Sequence, residues 1–221
     1  MVPTDEELRK AVQKARRNLA GSGPLRLRAE GDFERISVPD EECDILRDML
    51  VAEHARVVVE VGLAYGSSAL AIGEALLAQG HQGARHVIID PYQQAFGEAG
   101  WQAVVGAGLG GLCALVAERS QLALPRLVAE GFVADAAFVD GSHVFHNVFV
   151  DLYFLRELVR PGGLVVLDDC HWPSVATAVR YFELNTGWEL QQASRATRLR
   201  AFRLPDPRTE PSFESFTPFQ V

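Results

Sequence analysis

The chain has 221 residues, of which 48% are hydrophobic, and this size and composition suit one α/β domain with a sizeable core. Its formal net charge is −8 and it has no Lys/Arg-rich run, which argues against a nucleic-acid partner and favours a small-molecule substrate. No apolar run approaches the ~20 residues of a bilayer span, and the N-terminus lacks a signal-peptide pattern, so we expect no membrane partner. The three cysteines are far apart, and free thiols in a reducing cytoplasm are their expected state.

Residues 1–54 are predicted to form helices that pack on the core or cap its site. Thr4 is an N-cap candidate with three acidic residues after it, and the helix runs to about Ala20, where a Gly-Ser-Gly-Pro sequence stops it. A second helix is predicted from Pro39 to about His54. Residues 24–38 look irregular and are candidates for lining or covering a site.

From residue 55 onward, strands and helices alternate. The predicted strands are Val57–Val61, His86–Ile89, Cys113–Ala117, Ala136–Val139, Leu164–Leu167, Trp188–Gln192 and Arg198–Phe202. The last two have no helix between them, so they are predicted to form an antiparallel hairpin. Repeated crossovers elsewhere imply an α/β fold with a mostly parallel seven-stranded sheet and helices on both faces. Residues 55–204 are predicted to be the core, and 205–221 a Pro/Phe-containing tail whose phenylalanines either dock or stay free.

The stretch from Val57 to Leu70 is predicted to be a ligand-binding turn. A continuous apolar strand breaks at Gly62, turns through Gly66 and continues as a helix, so backbone can approach a ligand closely here. Glu60 near the end of the strand is costly to bury alone, so we expect another group to meet it. The glycine pattern is not GxGxxG, which favours a nucleoside ligand without a diphosphate.

Acidic residues follow the predicted strands at their carboxyl ends. They are Glu60, Asp90, Glu118, Asp140, Asp168 and Asp169. Ligands of parallel α/β sheets bind at this edge. An acidic rim there predicts a cation, a polyhydroxylated ligand, or both.

Asp90 is a candidate for binding ribose hydroxyls. It lies 24 positions after Gly66, close to the spacing of the acid that takes this role at the end of a second strand. The alternative is that Asp90 caps a turn before Pro91.

The acids that follow the fourth and fifth strands form a second group. The oxygens of Asp140, Asp168 and Asp169 suit Mg²⁺ or another divalent cation. The alternative is that Asp169 caps the next helix and backbone amides bind Asp168.

His143 is a candidate catalytic base. It follows Asp140 by three positions, so it is expected at the same rim. The alternative is that His143 only forms hydrogen bonds with the backbone at the start of a helix.

With these residues placed, the chain resembles the class I S-adenosylmethionine (SAM)-dependent methyltransferases, and within them a small bacterial O-methyltransferase-like group. The resemblance covers about residues 55–180 and rests on Glu60-Val-Gly-Leu-Ala-Tyr-Gly-Ser-Ser, Ile89-Asp-Pro-Tyr-Gln, Glu118-Arg-Ser-Gln, Phe138-Val-Asp-Gly-Ser-His and Arg160-Pro-Gly-Gly-Leu-Val-Val-Leu-Asp-Asp. It implies a Rossmann-like methyltransferase fold. Two positions depart from the family pattern: Ala64 replaces the middle glycine, and Arg119 stands where many relatives carry an acid.

The resemblance also implies roles for individual residues. The methionine end of SAM would be held by Glu60, Gly62, Tyr65, Gly66 and Ser67. Asp90 would bind the ribose, Ser120 would lie near the adenine, and Asp140 would border the cofactor. Asp140, Asp168 and Asp169 match the metal positions of cation-dependent relatives.

The expected activity is therefore O-methylation of a small hydroxylated metabolite, in specialised metabolism. Methyl transfer needs a deprotonated hydroxyl, and a divalent metal or the pair His143 and Asp140 would provide it. Two alternatives stay open: an elimination or cyclisation on the same scaffold, and a non-catalytic subunit that binds a partner through its tail. The sequence leaves a homo-oligomer or a protein partner open.

Overall fold

The computed structural model describes residues 3–191 and 197–218. Within these ranges the chain forms one seven-stranded sheet in the order β3-β2-β1-β4-β5-β7-β6. The strands are β1 Val57–Val61, β2 Arg85–Ile89, β3 Cys113–Val116, β4 Ala134–Val139, β5 Val159–Leu167, β6 Glu189–Leu190 and β7 Arg200–Arg203.

Helices connect the strands as the sequence predicts. They are α1 Asp5–Ser22, α2 Asp32–Ile36, α3 Asp40–Ala52, α4 Ser67–Ala78, α5 Ala99–Gly106, α6 Ser120–Ala129, α7 Phe145–Leu158 and α8 Pro173–Thr186. The prediction that residues 24–38 are irregular is wrong in part, because α2 lies within them. Its five residues are too few to show a helical period in the sequence.

Strand pairing confirms the predicted fold class. β1 pairs in parallel with β2 and β4, and β5 pairs in parallel with β4. β7 runs antiparallel to both β5 and β6, as the predicted terminal hairpin requires. The carboxyl ends of the five parallel strands therefore meet at one edge of the sheet.

Side chains alternate between the two faces of the sheet and bury it on both. On one face, Val59 and Val61 of β1 pack with apolar residues of α6, α7 and α8. On the other face, Val58 packs with α3 and α4, and a neighbouring cluster joins α1 and α5. Burial on both faces explains why the strands are continuous apolar runs.

The N-terminal helix is attached to α4 by buried charges. Thr4 forms the predicted capping box with Glu7. Arg16 is 1% exposed and donates to Glu74 of α4 at 2.6 Å and to Asp44 of α3 at 2.6 Å, and it also contacts Asp40. Since a buried charge without a partner is strongly destabilising, this network holds α1 and α3 in register on α4.

The described part of the tail lies on α7 and α8. Arg208 donates to Glu157 at 3.0 Å, and the backbone N–H of Thr217 donates to Asn185 at 2.8 Å. Phe216 contacts the ring of Tyr181, whereas Phe213 is 91% exposed. Phe219, also assigned to the tail, lies outside the described residues.

The three cysteines are free, as predicted, with Cys43 and Cys113 buried and Cys170 partly buried. Among the described helices, none combines the length and the apolar character that a membrane span requires.

Candidate functional site

A cavity of about 570 Å³ opens at the carboxyl edge of the parallel strands. This volume is in the ordinary range for small-molecule sites, roughly 300–1,000 Å³. Six of the predicted site residues line it: Gly62, Asp90, Ser120, Asp140, His143 and Asp169. Tyr65 and Ser67 line a small hollow beside it, together with Gly62 and Asp140. The sequence therefore predicted much of the wall of one real cavity.

The glycine turn, residues 62–66, forms the floor of the cavity. Gly62 has φ +97°, and a Cβ there would lie 2.1 Å from the backbone oxygen of Asp140. This approach excludes every side chain at position 62 and brings the ends of β1 and β4 together. Gly66 has φ +92° and starts α4, and it does not itself line the cavity.

Ala64 occupies the position where the family pattern has its middle glycine. Its φ is +45°, a left-handed conformation that costs an alanine about 1–2 kcal/mol. The carboxylate of Asp90 offsets this strain, because its Oδ2 accepts the N–H groups of Leu63 and Ala64, both at 3.0 Å. The turn thus keeps its shape without the glycine.

The predicted ribose ligand, Asp90, is shared between the turn and the cavity. Besides the turn amides, Oδ2 accepts from the Gln93 side chain at 3.1 Å, while Oδ1 accepts the Tyr92 N–H at 2.7 Å. Oδ1 therefore has a lone pair left for a ligand hydroxyl. The structure contains the predicted capping of the turn before Pro91 and leaves room for the predicted ribose contact.

Glu60 lies behind the glycine turn rather than in the cavity. It is fully buried, accepts a hydrogen bond from Ser68 of α4, and lies 2.9 Å from Nε2 of His86 on β2. Burial lowers the pKa of His86, but its contacts with Cys113 and Glu60 outweigh this and raise it to about 9. The expectation that another group meets Glu60 is confirmed, and its predicted contact with a ligand stays a prediction.

Three side chains converge at the other end of the cavity. Asp140, His143 and Asp169 each place one ligand atom within 4.8 Å of the others. His143 Nε2 lies 2.8 Å from Asp169 Oδ2. Asp169 takes a left-handed φ of +57°, which is unusual for a residue other than glycine and is common at functional sites.

Asp168, predicted with this group as a metal ligand, has other partners. One carboxylate oxygen binds the Arg198 guanidinium at 2.7 Å, and the other accepts the backbone N–H of Asp169 at 2.7 Å. Glu118 is likewise engaged outside the cavity, by Arg126 at 3.1 Å. The expectation of one shared acidic rim is therefore wrong for Glu60, Glu118 and Asp168. Each of these acids is paired with a basic side chain. The partners of Glu60 and Asp168 come from elements distant in sequence, and the partner of Glu118 lies on the helix that follows it.

The acids of the cluster differ in their pKa. Burial and the carboxylates of Asp168 and Asp169 raise the pKa of Asp140, whereas the hydrogen bond from His143 lowers the pKa of Asp169. The same bond raises the pKa of His143. The cluster thus combines a carboxyl and an imidazole whose pKa values are both raised with a carboxyl, that of Asp169, whose pKa is lowered.

The sequence marked residues 24–38 as candidates for lining or covering a site, but it did not single out the residues that cover the cavity. Arg28, Arg35 and Ile36 line it from above. Buried Asp32 holds this segment down, because it binds both arginines and lies 3.2 Å from the hydroxyl of Tyr65 in the glycine turn. The sequence did hold one signal of this arrangement. Arg28 lies four positions before Asp32 and Arg35 lies three positions after it, and side chains at these spacings meet on a helix.

A seven-stranded sheet of this order, with a ligand cavity at its carboxyl edge beside a glycine turn, is the architecture of the class I methyltransferases. A family model described as "Methyltransferase domain" matches residues 59–170, and the chain belongs to this family. A comparison with curated protein sequences gave no match.

Solved structures share the fold. The O-methyltransferase TomG from Streptomyces achromogenes, involved in tomaymycin synthesis and solved with SAM, is 21% identical over 89% of each chain, with a TM-score of 0.63. Cofactor-bound Rv0187 from MTB is 20% identical over 88% of this chain and 89% of its own, with a TM-score of 0.65. An O-methyltransferase from Bacillus cereus in complex with SAH is 17% identical over 92% and 93%, with a TM-score of 0.57.

Replacing Gly62 by alanine tests the close approach of β1 and β4. Gly83 is the matched control, because its φ is also positive, at +79°, and nothing lies within 4 Å of an added Cβ. Gly83→Ala should lose only the conformational cost of about 1–2 kcal/mol. Gly62→Ala should lose several-fold more of the free energy of unfolding, measured by urea denaturation. Equal losses would contradict the collision with Asp140.

The bond between His143 and Asp169 can be tested by titration. In Asp169→Asn the pKa of His143 should fall from its raised value, because the imidazolium loses its carboxylate partner. NMR titration of the imidazole in EDTA-treated protein measures this shift. Asp5→Asn is the control, since Asp5 contacts a different histidine, His81, and should leave the titration of His143 unchanged. An unaltered His143 titration in Asp169→Asn would rule out the pairing.

Proposed function

We propose that the protein is a SAM-dependent methyltransferase that methylates a hydroxyl of a small metabolite. The observation that carries the proposal is the meeting of Gly62, Asp90 and Asp140 at one cavity in a chain of the methyltransferase family. The O-methyltransferase names of TomG and the Bacillus cereus neighbour support oxygen as the acceptor. The involvement of TomG in tomaymycin synthesis supports a role for this protein in specialised metabolism.

The lining of the cavity supports SAM as the proposed cofactor. The floor at Gly62 admits close backbone contact, Oδ1 of Asp90 can accept a ribose hydroxyl, and Ser120 and Gln121 form the wall past β3. Tyr65 and Ser67 lie beside the floor, where the methionine end is proposed to bind. SAM supplies an activated methyl group when bound, so the task of this chain is to orient the acceptor and to remove its proton.

His143 is the proposed base. Its Nε2 faces Asp169, which leaves Nδ1 to accept a proton from an acceptor hydroxyl in the cavity. Asp169 holds the ring and stabilises the imidazolium that forms. Asp140 stands beside the pair, where its carboxyl can hydrogen-bond the acceptor oxygen, and burial with the neighbouring carboxylates of Asp168 and Asp169 raises its pKa.

A divalent cation is the alternative way to activate the hydroxyl. Asp140, His143 and Asp169 present two oxygens and one nitrogen within 4.8 Å, a donor set that a cation such as Mg²⁺ or Mn²⁺ accepts. Asp168, the third predicted ligand, would first have to leave Arg198. A cytoplasmic location and the absence of a nucleic-acid partner stay predictions.

Cofactor binding is the first test. Native protein should bind SAM and S-adenosylhomocysteine (SAH) in calorimetry, and Asp90→Asn should bind SAH at least about tenfold more weakly because a charged acceptor of the ribose is lost. Asp48→Asn, on the exposed side of α3, is the control and should keep native affinity. No binding of either compound by the native protein would remove the proposal.

Methyl transfer itself is tested with labelled SAM and a panel of phenols, catechols and sugars. His143→Ala should lower the rate by about 10²–10⁴-fold with SAH affinity retained, as expected for a general base. Treatment with EDTA separates the two modes of activation. A methyl-transfer rate that EDTA does not lower favours activation by His143 alone. A rate that EDTA lowers and Mg²⁺ restores favours activation by the cation. A product formed without consumption of SAM would contradict methyl transfer.

A further inference from the structure

Two arginines that cover the cavity have no part in the proposed chemistry. Arg28 and Arg35 lie at residues 28–36, the cover segment, and both line the cavity. Asp32 lies between them in sequence, is 1% exposed, and binds both. The cover segment thus brings two guanidinium groups to a single buried carboxylate.

That carboxylate is saturated. Asp32 Oδ2 accepts from Arg28 Nε at 2.9 Å and from the Tyr65 hydroxyl at 3.2 Å. Oδ1 accepts from Arg28 at 3.0 Å and from Arg35 at 2.7 Å. These bonds use the whole accepting capacity of a carboxylate. Since one negative charge serves two positive ones, the cluster keeps a positive charge in excess beside the cavity.

Most N–H groups of the two guanidinium groups are left over. A guanidinium has five N–H donors, of which Asp32 takes two from Arg28 and one from Arg35. Within the part of the chain that the structure describes, neither side chain donates to another acceptor. The remaining donors are therefore open to a ligand in the cavity.

Arg28 is held in place before any ligand binds. Its guanidinium lies 4.9 Å from the centre of the Phe96 ring, and its backbone N–H donates to the Tyr65 hydroxyl at 2.9 Å. The Asp32 carboxylate fixes the other side of the same group. A guanidinium that is stacked and paired in advance loses little conformational entropy when it binds an anion.

The proposed cofactor does not account for this positive charge. The methionine end of SAM is proposed to bind in the hollow beside the floor, and the described lining of that hollow includes neither arginine. The nucleoside end is proposed to meet Asp90 and Ser120 on the floor and wall of the cavity. The cover segment therefore faces the space that is left for the acceptor.

We propose that Arg28 and Arg35 form an anion clamp, and that the acceptor carries an anionic group, a carboxylate or a phosphate, besides the hydroxyl that is methylated. The planar guanidinium matches both anions through paired N–H bonds. The clamp holds the anion at the cover segment, while His143 and Asp140 meet the hydroxyl in the same cavity. The inference rests on the proposed function and narrows its acceptor to an acidic metabolite.

Matched pairs of acceptors test the clamp. Protocatechuate and its methyl ester differ only in the carboxylate, as do glucuronate and its methyl ester, and glucose 6-phosphate and glucose differ in the phosphate. Calorimetry on protein loaded with SAH gives Kd for each member, and labelled SAM gives kcat/KM for the members that are methylated. The carboxylate and phosphate pairs together show which anion the clamp takes.

In native protein, at least one anionic member should bind roughly ten- to a hundredfold more tightly than its neutral partner, the range of hydrogen bonds to a charged group. Arg35→Gln should reduce this preference several-fold and leave the affinity for the neutral member unchanged. About 0.5 M KCl should reduce it as well, because the clamp is partly exposed. Arg180→Gln on α8, outside the cavity lining, is the matched control and should keep the native preference.

The absence of an anion preference in every pair, or a preference that Arg35→Gln leaves unchanged, would overturn the inference while SAH binding leaves the proposed function intact. If Arg35→Gln weakens SAH by the same factor, the clamp binds the carboxylate of the cofactor and the assignment to the acceptor falls. If native protein binds no SAH, the proposed function fails, and the same pairs titrated without SAH still test the clamp.

The choice of Arg35 keeps the test independent of folding. Its side chain is 71% exposed and makes a single hydrogen bond to Asp32, so Arg35→Gln should retain the native thermal unfolding temperature. Arg28→Gln should reduce the anion preference further, but this residue also anchors the cover segment on Phe96. Where Arg28→Gln does not fold, Arg35→Gln decides the outcome alone.

Discussion

The carboxylate of Asp90 holds the backbone on which the rest of the site depends. It accepts the N–H groups of Leu63 and Ala64, and so ties the end of β2 to the glycine turn after β1. With the turn held, Gly62 can lie against the backbone of Asp140 on β4. The Asp90 carboxylate and the absence of a side chain at Gly62 thereby fix the ends of β1, β2 and β4. Ala64 can adopt a left-handed conformation without glycine because Asp90 anchors its N–H and that of Leu63, the residue before it.

Pairing with cations decides which acids remain available for chemistry. The acids that follow the strands are numerous, and a protein of net charge −8 has too few bases to neutralise all of its carboxylates. His86, Arg126 and Arg198 engage three of them, respectively Glu60, Glu118 and Asp168. The remaining acids, Asp90, Asp140 and Asp169, line the cavity. The acids without such a partner therefore lie where a ligand can meet them, and burial, together with the carboxylates of Asp168 and Asp169, raises the pKa of Asp140.

The walls of the cavity are supported from behind by buried polar groups rather than by apolar packing alone. Glu60 links the imidazole of His86 to Ser68 in the first turn of α4. Asp151 of α7 accepts a hydrogen bond from Gln121 at the start of α6. In both places a carboxyl orients the start of a helix that borders the cavity. Such supports define hydrogen-bond directions, which apolar contacts cannot do.

Local patterns in the sequence were enough to predict the strands, the glycine turn and the helices other than α2: β-branched apolar runs, caps and residues that tolerate positive φ. The run Val57–Val61 became β1 with unchanged bounds, and the fold class followed from the alternation of elements. Tertiary structure alone decided the partners of individual side chains. Asp168 meets Arg198, 30 positions later, and Glu60 meets a histidine on the next strand. The cover of the cavity depends in the same way on Asp32 reaching Tyr65. Such pairings depend on register and rotamer across elements distant in sequence, and no local pattern encodes them.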